Sequence, residues 1–368
     1  MDFEQYIIQG EPGRKERAEN WQVAIGLQAV DGLKPSHYLL QTAQDHIEER
    51  ISIDEVERRI AAYYQTEEGR REEAGTDEAD GVSARIARLL AEETFTFSPA
   101  MLASIHRRLF VGILPRAGRY RQKNIKKHEW VLDGDSVLYS SCDMIGATLD
   151  YDFEQERQFS YKGIGLPQVV KHISNFVSGI WQIHPFGEGN TRTTAVFTIK
   201  YLRQLGYKVD NEPFKENSWY FRNALVRANY QNLPAGVERT TEFLEMFFRN
   251  LLMGEHNELK NRYLHICWKD VGQRLSESQA DYSSEEMPKS SEKSTEKRVR
   301  GTEKKRKSSE WIVELMEKDA SVTAEQMAEM IGISPRAVEK HIANLKSKGI
   351  IDRVGPDKGG HWEVLKRE

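Results

Sequence analysis

Apolar residues follow helical spacing along most of this chain. Between Val169 and Trp181 they recur every three or four positions, which is the stripe of an amphipathic α-helix. A second stripe runs from Val196 to Leu205 and stops at Gly206, a residue type that commonly follows the last helical turn. Apolar spacing and N-terminal Ser caps predict further helices over 14–33, 36–43, 52–64, 82–91, 98–110, 219–230, 243–251 and 259–275. The pattern therefore predicts a mainly α-helical protein.

The two central helices are separated by a short polar loop, residues 184–192, with the sequence His-Pro-Phe-Gly-Glu-Gly-Asn-Thr-Arg. Its two glycines, Gly187 and Gly189, allow a ligand to approach the backbone closely. Asn190 is a candidate N-cap, and the free N–H groups of the next turn favour an anion. Arg192 adds a permanent cation beside that anion. The loop therefore predicts a phosphate-binding site.

Two further residues of the loop indicate chemistry at the phosphate. Glu188 offers hard carboxylate oxygens, which Mg²⁺ takes as ligands together with substrate phosphates. His184 could remove a proton from an incoming hydroxyl group.

This loop resembles the signature of Fic domains, HxFx(D/E)GN(G/K)R, at every position but one. The resemblance implies a Fic-type helical bundle with a small β-hairpin flap, which transfers AMP from ATP to a Ser, Thr or Tyr hydroxyl of a target protein. By this resemblance His184 is the general base, Glu188 the Mg²⁺ ligand and Arg192 the phosphate clamp. The remaining phosphate-binding positions are Gly187, Gly189, Asn190 and Thr191. A plain interhelical turn is the alternative, which eight matched positions at fixed spacing disfavour.

Two positions depart from the family pattern. Most AMP-transferring members have Gly where this chain has Thr191, and the phosphate-transferring Doc-like branch has Lys there. Many members carry a second Arg where this chain has Ala195, so a contact to the terminal phosphate is missing. Transfer of another phosphorylated group, from a different nucleotide or in the Doc-like sense, therefore remains an alternative.

Residues 1–66 are predicted to form short helices, and their layout resembles the VbhA-like antitoxin module that accompanies some Fic domains. In that module, the motif (S/T)xxxE(G/N) supplies an inhibitory Glu that pairs with the second Arg. The aligned residues here are Asp31 and Gly32, and the expected partner of Asp31 is Ala195. The resemblance thus predicts weakened inhibition; the alternative is a helical subdomain with an accidental Asp-Gly pair. A polar loop is predicted over 66–80.

An Asp-Gly turn at 133–134 separates two apolar stretches and is the strongest hairpin signal in the chain. By resemblance this hairpin is the flap that docks an extended target segment through strand addition; alternatively it only covers the core. The residues assigned to the flap are Trp130, Val131, Leu132, Val137, Leu138 and Tyr139. Farther along, the resemblance places Tyr220 and Asn223 beside the nucleoside, although an aromatic stripe at this spacing is also typical of a core.

The C-terminal part has a different composition. Residues 276–309 are rich in Ser, Glu, Lys and Arg and nearly free of large apolar side chains, which predicts a flexible charged linker. Residues 310–368 resemble a winged helix-turn-helix domain, and its recognition helix would present Arg336, Lys340 and Asn344 to DNA. Such domains also bind proteins, so both kinds of partner are open.

Composition limits the remaining choices. The 368 residues are 39% apolar and 30% charged, which suits a soluble protein with the Fic core at 82–275. No apolar run is long enough to span a membrane and the N-terminus is acidic, so a cytoplasmic location is expected. Cys142 and Cys267 are too few for a disulfide scaffold. The net charge of −4 does not indicate a general nucleic-acid binder.

The prediction from the sequence is a protein adenylyltransferase that uses ATP and Mg²⁺, has a target protein as partner, and through its family resemblance favours a homodimer. A different kind of function remains open, in which the winged helix makes the protein a DNA-bound regulator and the Fic core only senses a nucleotide.

Overall fold

The computed structural model describes residues 3–209 and 212–268, and in the C-terminal part residues 312–313, 315–317, 320, 322–324, 326–327, 338, 341–342, 345–346, 348–354 and 361–365. The chain divides into two compact units, 1–281 and 282–368. The predicted linker at 276–309 lies outside the described residues.

The described part of the first unit is mainly helical. Its α-helices are α1 (Glu4–Gln9), α2 (Pro12–Gly26), α3 (His37–Ile47), α4 (Ile53–Tyr63), α5 (Thr76–Ala91), α6 (Pro99–Phe110), α7 (Ile145–Gln158), α8 (Leu166–Ile183), α9 (Asn190–Gln204), α10 (Glu212–Ala228) and α11 (Glu242–Met253). The predicted serine caps are confirmed: Ser36, Ser52 and Ser98 each accept a hydrogen bond from the backbone N–H three residues on, at 2.9–3.3 Å.

Several predicted helix boundaries are wrong. Helix α10 begins at Glu212, ahead of its predicted start at Trp219. Helix α2 ends at Gly26, and residues Leu27–Asp31 form a 3-10 turn closed by Gly32 in the left-handed conformation. Helix α5 begins at Thr76 inside the predicted polar loop, because Asp80 is buried there and accepts hydrogen bonds from Ser36 and Tyr64. Of the helix predicted over 259–275, the described residues form only a 3-10 turn at Asn261–Leu264 and a single turn after it.

The hairpin prediction is correct for the turn and wrong for the strands. Asp133 and Gly134 both have positive φ (54° and 83°), and the N–H of Asp135 donates to the Leu132 oxygen at 3.1 Å. However, Trp130–Leu132 winds into a 3-10 turn, and residues 130–139 form no strand. The reason is that Val131 and Leu132 are both buried, whereas successive residues of a strand face opposite sides. The strand edge expected to dock a target is therefore not formed.

Helices α8 and α9 form the centre of the first unit. Every residue of α9 from Asn190 to Leu202 is buried, and α8 buries the apolar stripe that its sequence predicted. The N-terminal helices share this core, since Trp21 and Leu27 pack in the same cluster as Phe197 and Phe221. Residues 1–66 are thus part of one continuous packing arrangement with the helices that follow.

The second unit contains the predicted wing. Strand β1 (Ile351–Val354) pairs antiparallel with β2 (His361–Val364), with Ile351 opposite Val364. The described core residues of this unit are Ile312, Met316, Val322, Met327, Val338, Ile342, Leu345, Ile350, Ile351 and Trp362. Among the residues that the structure describes, helices long and apolar enough to cross a membrane are absent from both units.

The turn between α8 and α9 depends on one glycine. Gly189 has φ of 73°, and a Cβ at this position would lie 2.4 Å from Cε2 of Phe110. Gly187, two residues earlier, has no positive φ, and a Cβ there would meet no atom of the structure within 4 Å. Gly189 is therefore required by both conformation and space, whereas Gly187 is required by neither.

We expect Gly189→Ala to destabilise the first unit by roughly 2–5 kcal/mol, from the left-handed backbone and the collision with the Phe110 ring. Gly187→Ala is the matched control and should change the stability by less than about 0.5 kcal/mol. Urea unfolding followed by far-UV circular dichroism measures both values. Equal stability of the two variants would contradict the close contact with Phe110.

Candidate active site

His184 lies at the C-terminal end of α8. Its backbone is left-handed (φ 49°, ψ 59°), and its N–H donates to the Trp181 oxygen at 3.0 Å. The buried ring places Nδ1 3.3 Å from the same oxygen. Because a carbonyl oxygen only accepts, Nδ1 carries the proton and Nε2 keeps its lone pair. Burial and then the positive charge of Lys127 lower the pKa of His184 well below 6.5, so the ring is neutral at pH 7.

Arg121 holds the backbone around His184. Its guanidinium donates to the carbonyl oxygens of His184 (2.8 Å), Lys123 (2.8 Å), Ile183 (3.3 Å) and Ser140. In addition, the N–H of Arg121 donates to the Pro185 oxygen at 2.8 Å. This role could not be predicted from the sequence, because every acceptor is a main-chain atom.

Asn190 and His106 fix the rest of the loop. Asn190 is the first residue of α9 and not its N-cap, which is Gly189; the Asn190 side chain instead bonds both the N–H and the oxygen of Phe186 (3.0 and 2.8 Å). Nδ1 of His106 accepts a hydrogen bond from the Gly118 N–H (2.8 Å). Its Nε2–H therefore donates to the main-chain oxygen of Glu188 (3.0 Å). Burial lowers the pKa of His106 to about 4, which suits this structural role.

Glu188 lies on the open side of the loop. Its side chain is 65% exposed, and Oε2 is 3.1 Å from Nζ of Lys127, whose side chain is 26% exposed. No group of three or more possible metal ligands occurs among the described His, Cys, Asp and Glu side chains. One exposed carboxylate beside an open glycine nevertheless fits Mg²⁺ that arrives with a phosphorylated ligand, since Mg²⁺ keeps few protein ligands.

Arg192 is buried and already paired. Nη1 is 3.1 Å from Oε1 of Gln28, Nη2 is 2.6 Å from Oε1 of Glu78, and Nε is 2.8 Å from Oδ2 of Asp31. The guanidinium also lies over the Phe110 ring, with Cζ 4.8 Å from the ring centre.

Asp31 lies against Arg192 and not at position 195, where the family resemblance places the partner of the inhibitory carboxylate. The 3-10 turn at Leu27–Asp31 brings the Asp31 carboxylate to the first turn of α9, where it meets Arg192. Ala195 lies one turn farther along and is fully buried. Of the other two partners, Glu78 lies in the segment 66–80 that the sequence predicts to be a loop, and Gln28 lies in a predicted helix without being a predicted site residue.

Thr191 points away from the loop. Its hydroxyl oxygen accepts a hydrogen bond of 3.0 Å from Nε1 of Trp181, and the side chain is buried between α8 and α9. The residue that departs from the family pattern thus takes part in helix packing, and its side chain does not lie over the loop.

Most of the residues assigned to the flap line the core beside His184. Tyr139 packs on the imidazole, with ring centres 4.4 Å apart, and its hydroxyl lies 3.2 Å from Oε1 of the buried Glu129. Glu129 forms an ion pair with Arg222 of α10 at 2.6 and 3.2 Å. Val131, Leu132 and Val137 are buried, whereas Leu138 is 84% and Trp130 49% exposed. The structure thereby ties this segment to α10 and to the histidine.

Tyr220 and Asn223, predicted beside the nucleoside, are both buried on α10. Asn223 donates from Nδ2 to Oδ1 of Asn261 at 2.7 Å. The Tyr220 hydroxyl and Asn223 Oδ1 have no hydrogen-bond partner in the part of the chain that the structure describes. The three residues predicted to contact DNA, Arg336, Lys340 and Asn344, lie outside the described residues.

Two family models match parts of the chain. Residues 96–202 match the Fic/DOC family model, and residues 312–352 match the model of the winged helix-turn-helix DNA-binding domain. No curated protein matches the chain.

Solved structures similar to the chain include two N-terminal Fic domains of Bartonella effector proteins. The one from Bartonella sp. AR 15-3 is 20% identical and has a TM-score of 0.38, and the match covers 48% of this chain and 80% of the Bartonella chain. Bep8 from Bartonella sp. 1-1C is 17% identical, with coverages of 48% and 82% and a TM-score of 0.38.

A Fic family protein from Desulfovibrio desulfuricans G20 is 14% identical, with coverages of 99% and 90% and a TM-score of 0.41. The matched region 96–202 contains His184 and Glu188, which lie between α8 and α9, and Arg192 in the first turn of α9. The chain thus carries a domain that matches the Fic/DOC family model, followed by one that matches the winged helix-turn-helix model.

Proposed function

We propose that the Fic domain is a protein adenylyltransferase, which transfers AMP from ATP to a Ser, Thr or Tyr hydroxyl of a target protein and releases pyrophosphate. The observation that carries this proposal is the state of His184. It is buried and neutral, and its Nδ1 proton is directed to a main-chain oxygen, so Nε2 is available to accept a proton.

In the proposed reaction, Nε2 of His184 takes the proton of the target hydroxyl. The hydroxyl oxygen forms a bond to the α-phosphorus of ATP, and the bond from that phosphorus to the pyrophosphate oxygen breaks. The first-turn N–H groups of α9 have no acceptor within the helix and would face the negative phosphates. These groups are held in place before the ligand arrives, which is how preorganised donors lower a barrier.

Glu188 is the residue that would hold Mg²⁺, which when bound neutralises phosphate charge. Tyr220 and Asn223 support a nucleoside site on α10, because their unpaired hydroxyl and amide oxygen are buried and could bond to a base.

The contacts of Arg192 support an inhibited state of the proposed enzyme, in which this side chain is not available to a phosphate. Arg192 can clamp a phosphate only if Asp31 and Glu78 release it. Its Nη groups donate to Gln28 and Glu78, and the Asp31 carboxylate forms an ion pair at 2.8 Å from Nε without a well-aligned hydrogen bond. We propose that Asp31 inhibits nucleotide binding in this way, through the first arginine of the loop. The inhibition by Asp31 is expected to be partial, because its side chain is 35% exposed and exposed ion pairs are weak.

The winged helix-turn-helix match makes DNA the proposed second partner of the chain. A regulator that binds DNA and only senses a nucleotide through its Fic core is the alternative function. The neutral His184 favours the enzyme, because nucleotide sensing alone needs no proton acceptor.

The first test incubates the purified protein with Mg²⁺ and, separately, with each of the four ribonucleoside triphosphates. We expect an added mass of one AMP with ATP, because the base and the loop are in place. The adduct should be absent in His184→Ala, and intact-mass spectrometry measures both.

His37→Ala is the matched control, since His37 is exposed on α3 and lies outside the loop. This variant should be modified like the wild type. Transfer from another nucleotide would replace ATP in the proposal. Absence of any adduct in the wild type and in Asp31→Asn would favour the nucleotide-sensing regulator.

The pH dependence follows from the lowered pKa of His184. Because this pKa lies well below 6.5, the ring stays neutral between pH 8 and 6, and the rate limited by the base should remain constant over that range. An ordinary exposed His would be about half protonated at pH 6.5. Single-turnover rates in a buffer of constant ionic strength test this, and a fall of about threefold between pH 7 and 6, as an ordinary His would give, would contradict the buried base.

Asp31→Asn should raise the affinity for Mg-ATP by about tenfold, or ~1.4 kcal/mol, because the neutral side chain holds Arg192 more weakly. Glu78 still pairs with the buried guanidinium in this variant, so the fold is expected to persist. Isothermal titration calorimetry gives the affinity. Asp77→Asn, an exposed carboxylate in the first turn of α5, is the control and should leave the affinity unchanged. Equal affinities of Asp31→Asn and the wild type for Mg-ATP would contradict the proposed inhibition by Asp31.

A further inference from the structure

Lys127 directs its ammonium group to the open side of the loop. Nζ is 3.1 Å from Glu188 Oε2, on the carboxylate proposed to hold Mg²⁺. Burial lowers the pKa of the His184 imidazole most, and the charge of Lys127 lowers it further. Lys127 thus contacts Glu188 directly and acts on His184 through its charge.

The segment that carries Lys127 is firmly anchored. The N–H of Lys127 is 3.2 Å from Oγ of Ser136, and two residues later the buried Glu129 pairs with Arg222. The stem of the lysine is largely covered, so its charged end is presented from a fixed support. A cation held in this way is preorganised for a ligand of opposite charge.

The ion pair with Glu188 is suited to exchange. Exposed pairs contribute little to stability, so a competing cation on the carboxylate can replace the lysine at small cost. Mg²⁺ on Glu188 would compete with the ammonium of Lys127 for the carboxylate oxygens, and the two cations would repel each other. The phosphate oxygens that arrive with the metal offer the displaced ammonium a new partner.

We propose that Lys127 is a phosphate-binding residue, which leaves Glu188 and contacts a phosphate oxygen of the nucleoside triphosphate when the nucleotide binds. This inference rests on the proposed function of the loop. It assigns to the segment 127–139 a part in nucleotide binding, in addition to covering His184.

The test measures the dissociation constant of Mg-ATP by isothermal titration calorimetry, in full-length protein with His184→Ala to prevent turnover. Lys127→Gln should weaken binding by about tenfold, and Lys127→Arg should stay within about threefold of the parent. The matched control is Lys126→Gln, which removes the same charge from the neighbouring exposed residue and should change the constant by less than about twofold.

The opposite result has a different physical meaning. If Lys127 only neutralises Glu188, its removal frees the carboxylate for the metal, and Mg-ATP binding stays equal or becomes tighter. That outcome overturns the inference and leaves the proposed function intact. Equal losses in Lys127→Gln and Lys126→Gln would also overturn it, because they would show a general charge effect. If the parent protein binds none of the four nucleoside triphosphates, the inference and the proposed function both fail. A thermal melt of each variant confirms that it is folded.

Discussion

The buried charge of Arg192 is the constraint on which the first unit depends. A guanidinium removed from water must be paired and hydrogen-bonded, or the cost of its burial would be several kcal/mol. The chain meets this requirement with groups from three separate places: the 3-10 turn after α2, the first turn of α5 and the aromatic face of Phe110. The position of the N-terminal helices is therefore coupled to the first turn of α9. The loop that binds phosphate in the proposed function and the segment that precedes the Fic domain share one electrostatic centre.

The loop itself is built by contacts to backbone atoms. Asn190, His106 and Arg121 bond the main chain of Phe186, Glu188 and the residues around His184, so the side chains that face the open side have little part in holding the loop. Stability and chemistry are thus assigned to different residues. A buried, neutral base follows from the same design, because the ring is surrounded by Trp181 and Tyr139 and excluded from water.

Much of the fold could be predicted from the sequence, because helical periodicity and serine caps are local signals. The helices α3, α4, α6, α8, α9 and α11 began or ended close to their predicted limits, and the loop residues His184 and Glu188 lie at one site as their spacing indicated.

The features that could not be predicted from the sequence depend on tertiary contacts. The start of α5 is fixed by hydrogen bonds to Asp80 from residues 16 and 44 positions away, and Asn190 gave up its capping role for the Phe186 backbone. The prediction of strands in the flap was wrong because Val131 and Leu132 are both buried in a 3-10 turn. A short run of apolar residues alone does not distinguish such a turn from a strand. The partners of Arg192 lie 114 to 164 residues away, so no local rule could identify Glu78 or Gln28.

Arg121 has a consequence for how this chain could evolve. Its four acceptors are carbonyl oxygens, and every amino acid supplies that group. Substitutions at Lys123 or Ser140 change the side chains near the loop without removing an acceptor. The path of the backbone is therefore inherited independently of the surface chemistry that it carries. In the proposed function, such substitutions would change the surface beside the loop that a target meets, while the histidine keeps its position.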